Sequence, residues 1–392
     1  MGKGLNVLKA IEAVNKGQLS YCKFLSANDT GDTGAHQMGI YIAKKAIRIL
    51  FDESGVKGEN KDKSVMIKWQ DDFITNSRFV YYGRGTRNEY RITRFDKGFP
   101  FLRTEHTGDL FVLVRFTSED YAAYVLEVED DINSFLDAFG MSPTDTGAII
   151  QRENFRHDSQ VESAFARFIE LLEIDFPASV EMSAAARRIF NEIYDHEENI
   201  VLNPDIELIS WIDMEYRLFR KVEYARYGDM ITRGFSSVEE FIEVANMVLN
   251  RRKSRAGKSL EHHLSAIFDG NGLSYVAQPT TEGKKRPDFI FPNEAAYRNM
   301  SYPTDKLVFL GAKTTCKDRW RQVINEANRI SDKHLFTLQQ GISVQQLDEM
   351  AIEHIILVVP YPYIKTYPAE KRDSIWTLRK FIDYVKERTK VK

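Results

Sequence analysis

The chain has 392 residues, 43% of them apolar, and carries a net charge of −3 at pH 7. This length and apolar content predict roughly two or three domains with ample buried core, and two as the first expectation. A charge so near neutrality excludes a protein that coats nucleic acid without selectivity, because such binding needs dense lysine and arginine to displace counterions. Any contact with DNA must therefore be local.

The apolar runs and the cysteines exclude two further classes of protein. No stretch approaches the roughly 18 uncharged apolar residues of a membrane span, and no charged-then-apolar signal pattern opens the chain. We therefore expect a cytoplasmic protein with no membrane partner. Cys22 and Cys316 lie far apart and form no CxxC pair, so two buried reduced thiols are expected rather than a disulfide or a zinc site.

Short runs with the alternation or the β-branched and aromatic character of strands occur in the first half, at 78–82, 110–116 and 123–128. Glycine, asparagine and aspartate separate these runs, as is typical of turns. Residues 1–155 are therefore predicted to form a mostly β domain with one or two helices.

The pattern changes near residue 150. Residues 159–174 have the apolar spacing of a helix, and the segment 175–177, which ends in proline, breaks it. We predict an interdomain connection over 156–174 and a second domain over 175–392.

The second domain begins with helical patterns over 183–250, in which Ser237 and Glu240 have the spacing of a capping box. An alternation of helices and strands follows. The predicted helices cover 259–268 and 319–330, and the predicted strands cover 289–291, 306–313 and 354–360. This order predicts an α/β domain around a central mixed sheet, so the fold class of the whole chain is mixed.

Basic side chains bunch at four places, which lie at 84–94, 251–258, 284–286 and 313–321. One such run is as often a solvated face as a binding surface. Four together indicate contact with nucleic acid, while acidic segments such as 127–131 keep the net charge low.

A carboxylate and a lysine stand at the ends of two predicted neighbouring strands. Asp288 begins the apolar run 288–291, and Lys313 ends the run 307–313. Hydrolysis of a phosphodiester needs a divalent cation held by carboxylate oxygens, and a cationic group that orients the attacking water or steadies negative charge. Asp288 and Lys313 suit these two roles.

A second carboxylate is needed to hold Mg²⁺, but the two positions before Lys313 are Gly311 and Ala312. Glu326 lies thirteen positions after Lys313, on the next predicted helix, from which its carboxylate can point back at the sheet. The sequence therefore predicts that Asp288 and Glu326 hold the metal.

Four segments extend this pattern, at 251–261, 281–288, 313–321 and 334–338. In this order they resemble the catalytic domain of the EcoRII type of the PD...(D/E)xK nuclease superfamily, in the branch that cuts CC/GG sites. In that branch the acidic residue has moved from the strand to the following helix. The resemblance implies that Glu261, on the helix before Asp288, is a further catalytic acid.

The first half resembles the DNA-binding pseudobarrel of the same family, through the segments 25–37 and 86–94. The resemblance implies that this half binds a second copy of the target and thereby relieves autoinhibition of the catalytic half. The residues expected to contact DNA there are His36, Tyr41, Arg87, Glu89, Arg91 and Arg94.

The resemblance also implies DNA contacts in the second half. Lys317, Asp318 and Arg319 offer the cations and the carboxylate that guanine and cytosine edges require, so we predict that they read the CC/GG bases. The structural alternative is that Asp318 caps the helix beginning at Arg319 and that the cations contact phosphate only. Contacts with the DNA backbone are predicted for Arg251, Arg252, Arg255 and Lys258.

The implied function is that of a type II restriction endonuclease, of the IIE subtype, which needs Mg²⁺ and cuts double-stranded DNA at a CC/GG site, with CCWGG as the first candidate. The same resemblance implies a homodimer through the C-terminal domain, two bound recognition sites and a cognate DNA methyltransferase. Three alternatives remain open: a non-catalytic DNA-binding regulator, a structure-specific repair nuclease, and a single-site nuclease without allosteric activation. The presence of Asp288, Lys313 and Glu326 argues against the first.

Overall fold

The computed structural model of the protein describes residues 3–31, 39–70, 73–95, 98–150, 159–194 and 199–389. Two sheets organise these residues, one in each half of the chain. In the first half, the helices are α1 (Lys3–Lys16), α2 (Ala27–Thr30) and α3 (Glu129–Ala138), and 3-10 helices cover Lys44–Ile49, Thr104–His106 and Pro143–Asp145. The strands are β1 (Leu19–Phe24), β2 (Ile40–Ile42), β3 (Lys61–Trp69), β4 (Ile74–Tyr82), β5 (Glu89–Thr93), β6 (Leu110–Arg115), β7 (Asp120–Leu126) and β8 (Ala148–Ile149).

The strands of the first half form one eight-stranded sheet in the order β2-β5-β4-β3-β7-β6-β1-β8. Neighbouring strands are antiparallel except β3 and β7, which are parallel. In a flat sheet β2 and β1 would lie about 30 Å apart, at roughly 4.8 Å per strand. Yet Ile40 of β2 and Tyr21 of β1 belong to the same buried core. The sheet therefore curls upon itself, in agreement with the predicted pseudobarrel.

Helices α1 and α3 cover the outer face of this sheet. Val14 of α1 and Phe135 of α3 share a second core with Val112 of β6. Phe111, the neighbour of Val112, belongs instead to the core inside the curled sheet. Strand β6 is thus buried on both faces, which explains why its sequence is a continuous apolar run rather than an alternating one.

In the second half, the helices are α4 (Ser159–Glu170), α5 (Ser179–Tyr194), α6 (Asn199–Leu202), α7 (Pro204–Arg233), α8 (Val238–Gly270), α9 (Glu294–Arg298), α10 (Val344–Ile352) and α11 (Leu378–Arg388). Shorter 3-10 helices cover Glu282–Lys284, Thr304–Lys306, Arg319–Asn325, Tyr361–Thr366 and Ala369–Ser374. The strands are β9 (Val276–Ala277), β10 (Phe289–Phe291), β11 (Val308–Lys313), β12 (Lys333–Thr337), β13 (Ile355–Val359) and β14 (Trp376–Thr377). None of the helices in the described ranges has the length and apolar character that crossing a membrane requires. Both cysteines are free and buried, as expected.

The second sheet is mixed, as predicted, with the strand order β14-β13-β12-β11-β10-β9. Strands β9, β10 and β11 are antiparallel neighbours, whereas β11 to β14 run parallel. Phe289 of β10 pairs with Leu310 of β11. Asp288, one residue before β10, therefore lies next to the end of β11.

Helix α8 packs across this sheet. Leu260, Leu264 and Phe268 recur at helical spacing and are buried in the core of the second half. The ring centre of Phe268 lies 5.2 Å from that of Phe289 on β10. Glu261 follows Leu260 in the chain, so it lies beside this buried face of the helix and close to the sheet.

The helix predicted at 159–174, within the connection 156–174, is present over a shorter range. It is helix α4, which covers 159–170. Val161 and Phe165 of this helix are buried in the core of the second half. The described part of the connection is therefore a packed helix, because its apolar stripe has a core to lie against.

The helix predicted over 319–330 is also shorter than expected. It is a 3-10 helix that ends at Asn325, so Glu326 follows the helix rather than lying on it. Ala327 has a positive φ of 48°, which a right-handed helix cannot include. The chain therefore turns away from the helix at the residue that carries the predicted acid.

Gly311 lies within β11 at a place where a side chain has no room. A Cβ atom on Gly311 would lie 2.9 Å from Cγ1 of Val323 and 3.5 Å from Cδ1 of Leu335. Val323 is fully buried and belongs to the 3-10 helix that precedes Glu326. The segment that brings in Glu326 therefore also fills the strand position at which an acid is missing.

We expect Gly311→Ala to lower the free energy of unfolding by about 1–3 kcal/mol, the usual effect of forcing extra atoms into a packed core. Val323→Ala removes the methyl group that the new Cβ would meet, so the double variant should be more stable than two additive losses predict. Chemical denaturation measures all three variants against the wild type. Gly228→Ala, whose Cβ would meet nothing closer than 3.5 Å, is the control. Strict additivity of the two changes would contradict this packing.

Candidate active site

Asp288 and Lys313 meet where β10 begins and β11 ends. Oδ2 of Asp288 accepts hydrogen bonds from Nζ of Lys313 at 3.1 Å and from the backbone N–H of Ala312 at 2.7 Å. Asp288 is only 7% exposed. A buried carboxylate needs such partners, and here both belong to the neighbouring strand. The pairing of β10 with β11 therefore holds the carboxylate in place.

Glu326 directly follows the 3-10 helix Arg319–Asn325. Burial raises the pKa of its carboxyl group to about 7; the Lys313 ammonium opposes this rise and the Asp288 carboxylate adds to it. Oε2 of Glu326 is buried and has no hydrogen-bond partner among the described residues. A buried oxygen without a partner, beside a second carboxylate, is suited to binding a cation.

Glu261 adds a third acid from α8. Its Oε2 accepts a hydrogen bond of 2.6 Å from the side-chain amide of Gln278. Burial, followed by the charge of Asp288, raises the pKa of the Glu261 carboxyl group, while the bond from Gln278 lowers it. The backbone N–H of Gln278 also donates to the carbonyl group of Asp288 at 3.0 Å. Gln278 therefore links two of the three acids.

Asp288 and Glu326 are the carboxylates best placed to hold a divalent cation. Within the described ranges, no group of three or more histidine, cysteine, aspartate or glutamate side chains forms a complete metal site. Mg²⁺ does not need one, because it usually binds through one or two carboxylates and keeps water and substrate phosphate as its other ligands. The oxygens present here therefore fit Mg²⁺.

The residues predicted to read bases follow β11 and contact the first half of the chain. The backbone N–H groups of Asp318 and Arg319 both donate to Oε2 of Glu129, at 2.7 Å and 3.0 Å. Asp318 stands at the N-cap position of the 3-10 helix, but its side chain makes no capping bond. The capping alternative therefore gains no support from the geometry.

The side chains of the same segment are paired with acids. Lys317 forms an ion pair with Asp109, and the Arg319 guanidinium donates to Asp130 at 2.9 Å. Glu129 is only 2% exposed, and its carboxylate accepts hydrogen bonds from the second half. Asp109, Glu129 and Asp130 are named here the acidic lock. Each member belongs to the first half of the chain, and each binds a residue predicted to contact DNA.

Helix α3, which carries most of the acidic lock, also forms one wall of a cavity of about 570 Å³. The cavity is lined by Asp130, Asn133 and Asp137 from α3, and by Lys253, Glu261 and Lys313 among others from the second half. Acids of one half thus face cations of the other across a cavity next to the candidate catalytic residues.

The four residues predicted to contact the DNA backbone lie on α8, and the structure places them differently. Arg255 is only 4% exposed and stacks on an aromatic ring of α7, 3.5 Å from its centre. In this conformation the buried guanidinium of Arg255 cannot reach a phosphate, and its contact with DNA stays a prediction. Arg252 pairs with Glu223 and donates to two carbonyl groups of α3. Arg251 is half-buried and Lys258 is exposed, so these two can still meet DNA.

The residues predicted to contact DNA in the first half also separate into two groups. The exposed ones are Tyr41, Arg87 and Arg94. Arg91, on β5, is 8% exposed and pairs with the half-buried Glu89 at 3.4 Å. In this conformation the buried Arg91 offers little surface to DNA, and its contact with DNA stays a prediction. His36 lies outside the described residues.

The acidic lock and Gln278 are functional candidates that the sequence patterns do not single out. The acidic run 127–131 is visible in the sequence, and three of its acids occupy the first turn of α3. Acids are common in first turns because they suit the helix dipole, so the pattern does not reveal a distant partner. Gln278 belongs to no recognisable motif.

Known proteins similar to the chain were found for both halves. The family model described as EcoRII C terminal matches residues 219–382, and the model described as restriction endonuclease EcoRII, N-terminal, matches residues 14–145. The type II restriction enzyme EcoRII of Escherichia coli is 37% identical over 381 residues, which cover 92% of this chain and 92% of that protein. The type II restriction enzyme SsoII of Shigella sonnei is 29% identical over 118 residues, which cover 27% of this chain and 37% of that protein.

Two solved structures of DNA complexes are also similar. The restriction endonuclease PspGI with substrate DNA is 14% identical, with a TM-score of 0.46, and the match covers 55% of this chain and 93% of that one. Metal-depleted Ecl18kI with uncleaved DNA is 17% identical, with a TM-score of 0.45, and the match covers 60% of this chain and 85% of that one. Because the identity to EcoRII extends over 92% of both chains, the chain belongs to the EcoRII family of type II restriction enzymes and is a DNA nuclease.

Proposed function

We propose that the chain is a type IIE restriction endonuclease that requires Mg²⁺ and cuts both strands of DNA at a CC/GG site, with CCWGG as the first candidate. The observation that carries this proposal is the bond of 3.1 Å between Asp288 and Lys313, beside a buried oxygen of Glu326 that has no hydrogen-bond partner among the described residues. Membership of the EcoRII family supports the choice of target.

The proposed chemistry assigns one task to each side chain. Asp288 and Glu326 hold Mg²⁺, which when bound polarises the phosphate and activates water. The ammonium of Lys313 stabilises the negative charge that develops on the phosphate oxygens. The backbone N–H of Ala312 fixes the orientation of the Asp288 carboxylate. Glu261, whose pKa is raised, holds a proton at this site more readily than an exposed glutamate would.

We further propose that the conformation described here, called closed because the acidic lock joins the two halves, is autoinhibited by that lock. Glu129 occupies the backbone donors of Asp318 and Arg319, and its two partner acids occupy the side-chain cations of that segment. DNA needs the same groups, because cations and N–H donors bind phosphate oxygens and the acceptors on guanine. The lock and DNA therefore compete for one set of donors.

A second DNA molecule bound to the first half would release the lock. For this to happen, that DNA must bind the open conformation more tightly than the closed one. The exposed Tyr41, Arg87 and Arg94 are the residues proposed to bind it. Asp109 stands one residue before β6, and the residue preceding it accepts a hydrogen bond of 2.7 Å from Gln339. A shift of the first sheet would thus move a member of the lock directly.

The second half is proposed to form a homodimer. Seven of its exposed apolar side chains, between 37% and 70% exposed, lie at the end of α7 and the start of α8: Tyr224, Ile231, Val238, Phe241, Ile242, Met247 and Leu249. This group of side chains is named the apolar arm. Large exposed apolar side chains in such number along two adjoining segments mark a candidate interaction surface. A second copy of the arm would cover it, and the resulting twofold symmetry would give one catalytic site to each DNA strand.

The proposed function also implies a partner enzyme and a location in the cell. A sequence-specific nuclease would cut its own genome, so we propose a cognate DNA methyltransferase that protects the host sites. We also propose that the enzyme works in the cytoplasm, where its DNA substrate is.

A plasmid with several CCWGG sites should be cut into discrete fragments by the wild type with Mg²⁺ and should stay intact with EDTA. Lys313→Ala should cut at least about 100-fold more slowly, because it loses a group that stabilises charge in the transition state. Gel electrophoresis over time measures both. Lys371→Ala, which removes a surface lysine paired with Asp348, should cut like the wild type. If no CC/GG plasmid is cut while specific DNA binding persists, the regulator alternative explains the protein.

Releasing the acidic lock should activate the enzyme on a duplex with a single site. We expect the double variant Glu129→Gln Asp109→Asn to cut such a duplex at least about 10-fold faster than the wild type, since charged hydrogen bonds of about 1.5–3 kcal/mol are lost. A second duplex added in trans should stimulate the wild type but hardly the variant. Asp62→Asn, an acid on the surface of β3, is the control. A variant as slow as the wild type that still responds to the second duplex would reject the lock.

Charges placed in the apolar arm should break the dimer. The double variant Phe241→Glu Ile242→Glu should sediment as a monomer at concentrations where the wild type sediments as a dimer, because burying the new carboxylates is costly. Analytical ultracentrifugation measures this. Met300→Glu, which changes a side chain that is 80% exposed elsewhere, should leave the dimer intact. A dimer that survives the arm substitutions would place the interface on another surface.

A further inference from the structure

The loop that carries Glu326 is built around a buried lysine. Lys333, the first residue of β12, is only 5% exposed. Its ammonium donates to the backbone carbonyl groups of Glu326, Ala327 and Ile330, the last two at 3.2 Å and 3.0 Å. An ammonium has three N–H donors, so these three carbonyl groups use all of them.

The same loop has a backbone conformation that needs support. Ala327 combines a positive φ of 48° with complete burial. Residues other than glycine rarely adopt such a φ, and they keep it only where the surroundings impose it. Lys285 adds a further tie, because its Nζ donates to the carbonyl group of Asn325 at 2.7 Å. Lysine contacts thus hold the backbone on both sides of the peptide that carries Glu326.

The placement of Lys333 excludes a direct part in the chemistry. Its ammonium is used by the three carbonyl groups, and it lies 5.3 Å from the ring centre of Phe309 on β11. Its three bonds instead hold the backbone of the loop from which Glu326 extends. The position of this loop matters because Gly311, the strand position that could have carried an acid, has no room for a side chain.

We propose that Lys333 is a positioning residue for Glu326, which it orients toward the metal by gathering the carbonyl groups of the loop around its ammonium. The inference rests on the proposed function of Glu326 as a metal ligand. A β-strand would fix the position of an acid carried by the sheet. In this chain a lysine and a turn fix the position of Glu326 instead.

The first test replaces Lys333 by methionine, which keeps a side chain of similar length but removes the donors. Lys333→Met should weaken the binding of Mn²⁺ to the full-length protein by about 10–100-fold, the usual effect of losing a residue that orients a metal ligand. Electron paramagnetic resonance of free Mn²⁺ measures this without DNA. The Mg²⁺ concentration for half-maximal cleavage should rise by a similar factor, while metal-free binding to specific DNA should not change. Lys371→Met is the matched control.

A double-mutant cycle shows whether the effect passes through Glu326. In the background of Glu326→Gln, Lys333→Met should change Mn²⁺ binding by no more than about twofold, because the ligand that it orients is already gone. Equal losses in the two backgrounds would overturn the proposal, and so would an unchanged Mn²⁺ affinity in a folded Lys333→Met protein.

Lys285→Met serves if Lys333→Met does not fold, as judged by its melting curve. This variant removes only the exposed bond to Asn325 and should weaken Mn²⁺ binding by about threefold, the worth of one hydrogen bond. No weakening would count against the proposal. Failure of the proposed function is distinguishable, because the wild type would then cut no CC/GG plasmid or would cut it equally well in EDTA.

Discussion

The carboxylate of Asp288 is buried at the junction of two strands, and its charge is tolerated there because the end of β11 supplies both of its partners. A slip of β10 by one residue would turn the side chain to the other face of the sheet and break both bonds. The register of β10 is held by Phe289 and Phe291, whose rings pack against Phe268 of α8. The position of the proposed metal ligand Asp288 therefore depends on the packing of an apolar core.

The contact between the two halves is of a different kind from the cores within them. It consists largely of ion pairs and hydrogen bonds, and those of the acidic lock are among them. At Gly108, a Cβ would lie 2.2 Å from the carbonyl oxygen of Gly341, so the halves also meet backbone to backbone. A polar interface can open without exposing large apolar surfaces to water. Such an interface suits an enzyme whose nuclease activity is proposed to be controlled by reversible separation of its two halves.

Sequence patterns predict that Asp288 and Lys313 come together, because apolar runs mark the strands β10 and β11 and the two residues stand at their ends. They placed Glu326 on a helix because an alanine gives no sign that it will take a positive φ. They could not show the burial of Arg255 or Arg91, since charge density does not distinguish an arginine stacked in a core from one on a surface. Contacts between the halves are the hardest to predict from sequence, because they join residues nearly 200 positions apart. Glu129 and Asp318, for example, are 189 positions apart.

Helix α8 runs from the apolar arm to the active site without interruption. From Phe241 to Glu261 it rises by about 30 Å, at 1.5 Å per residue. A continuous helix of this kind fixes both a distance and an angle, because each added residue would also rotate Glu261 by about 100° relative to the arm. If two copies meet at the arm, the length of one helix sets the separation of the two catalytic centres. The number of residues between the arm and Glu261 would then determine how far apart the two DNA strands are cut.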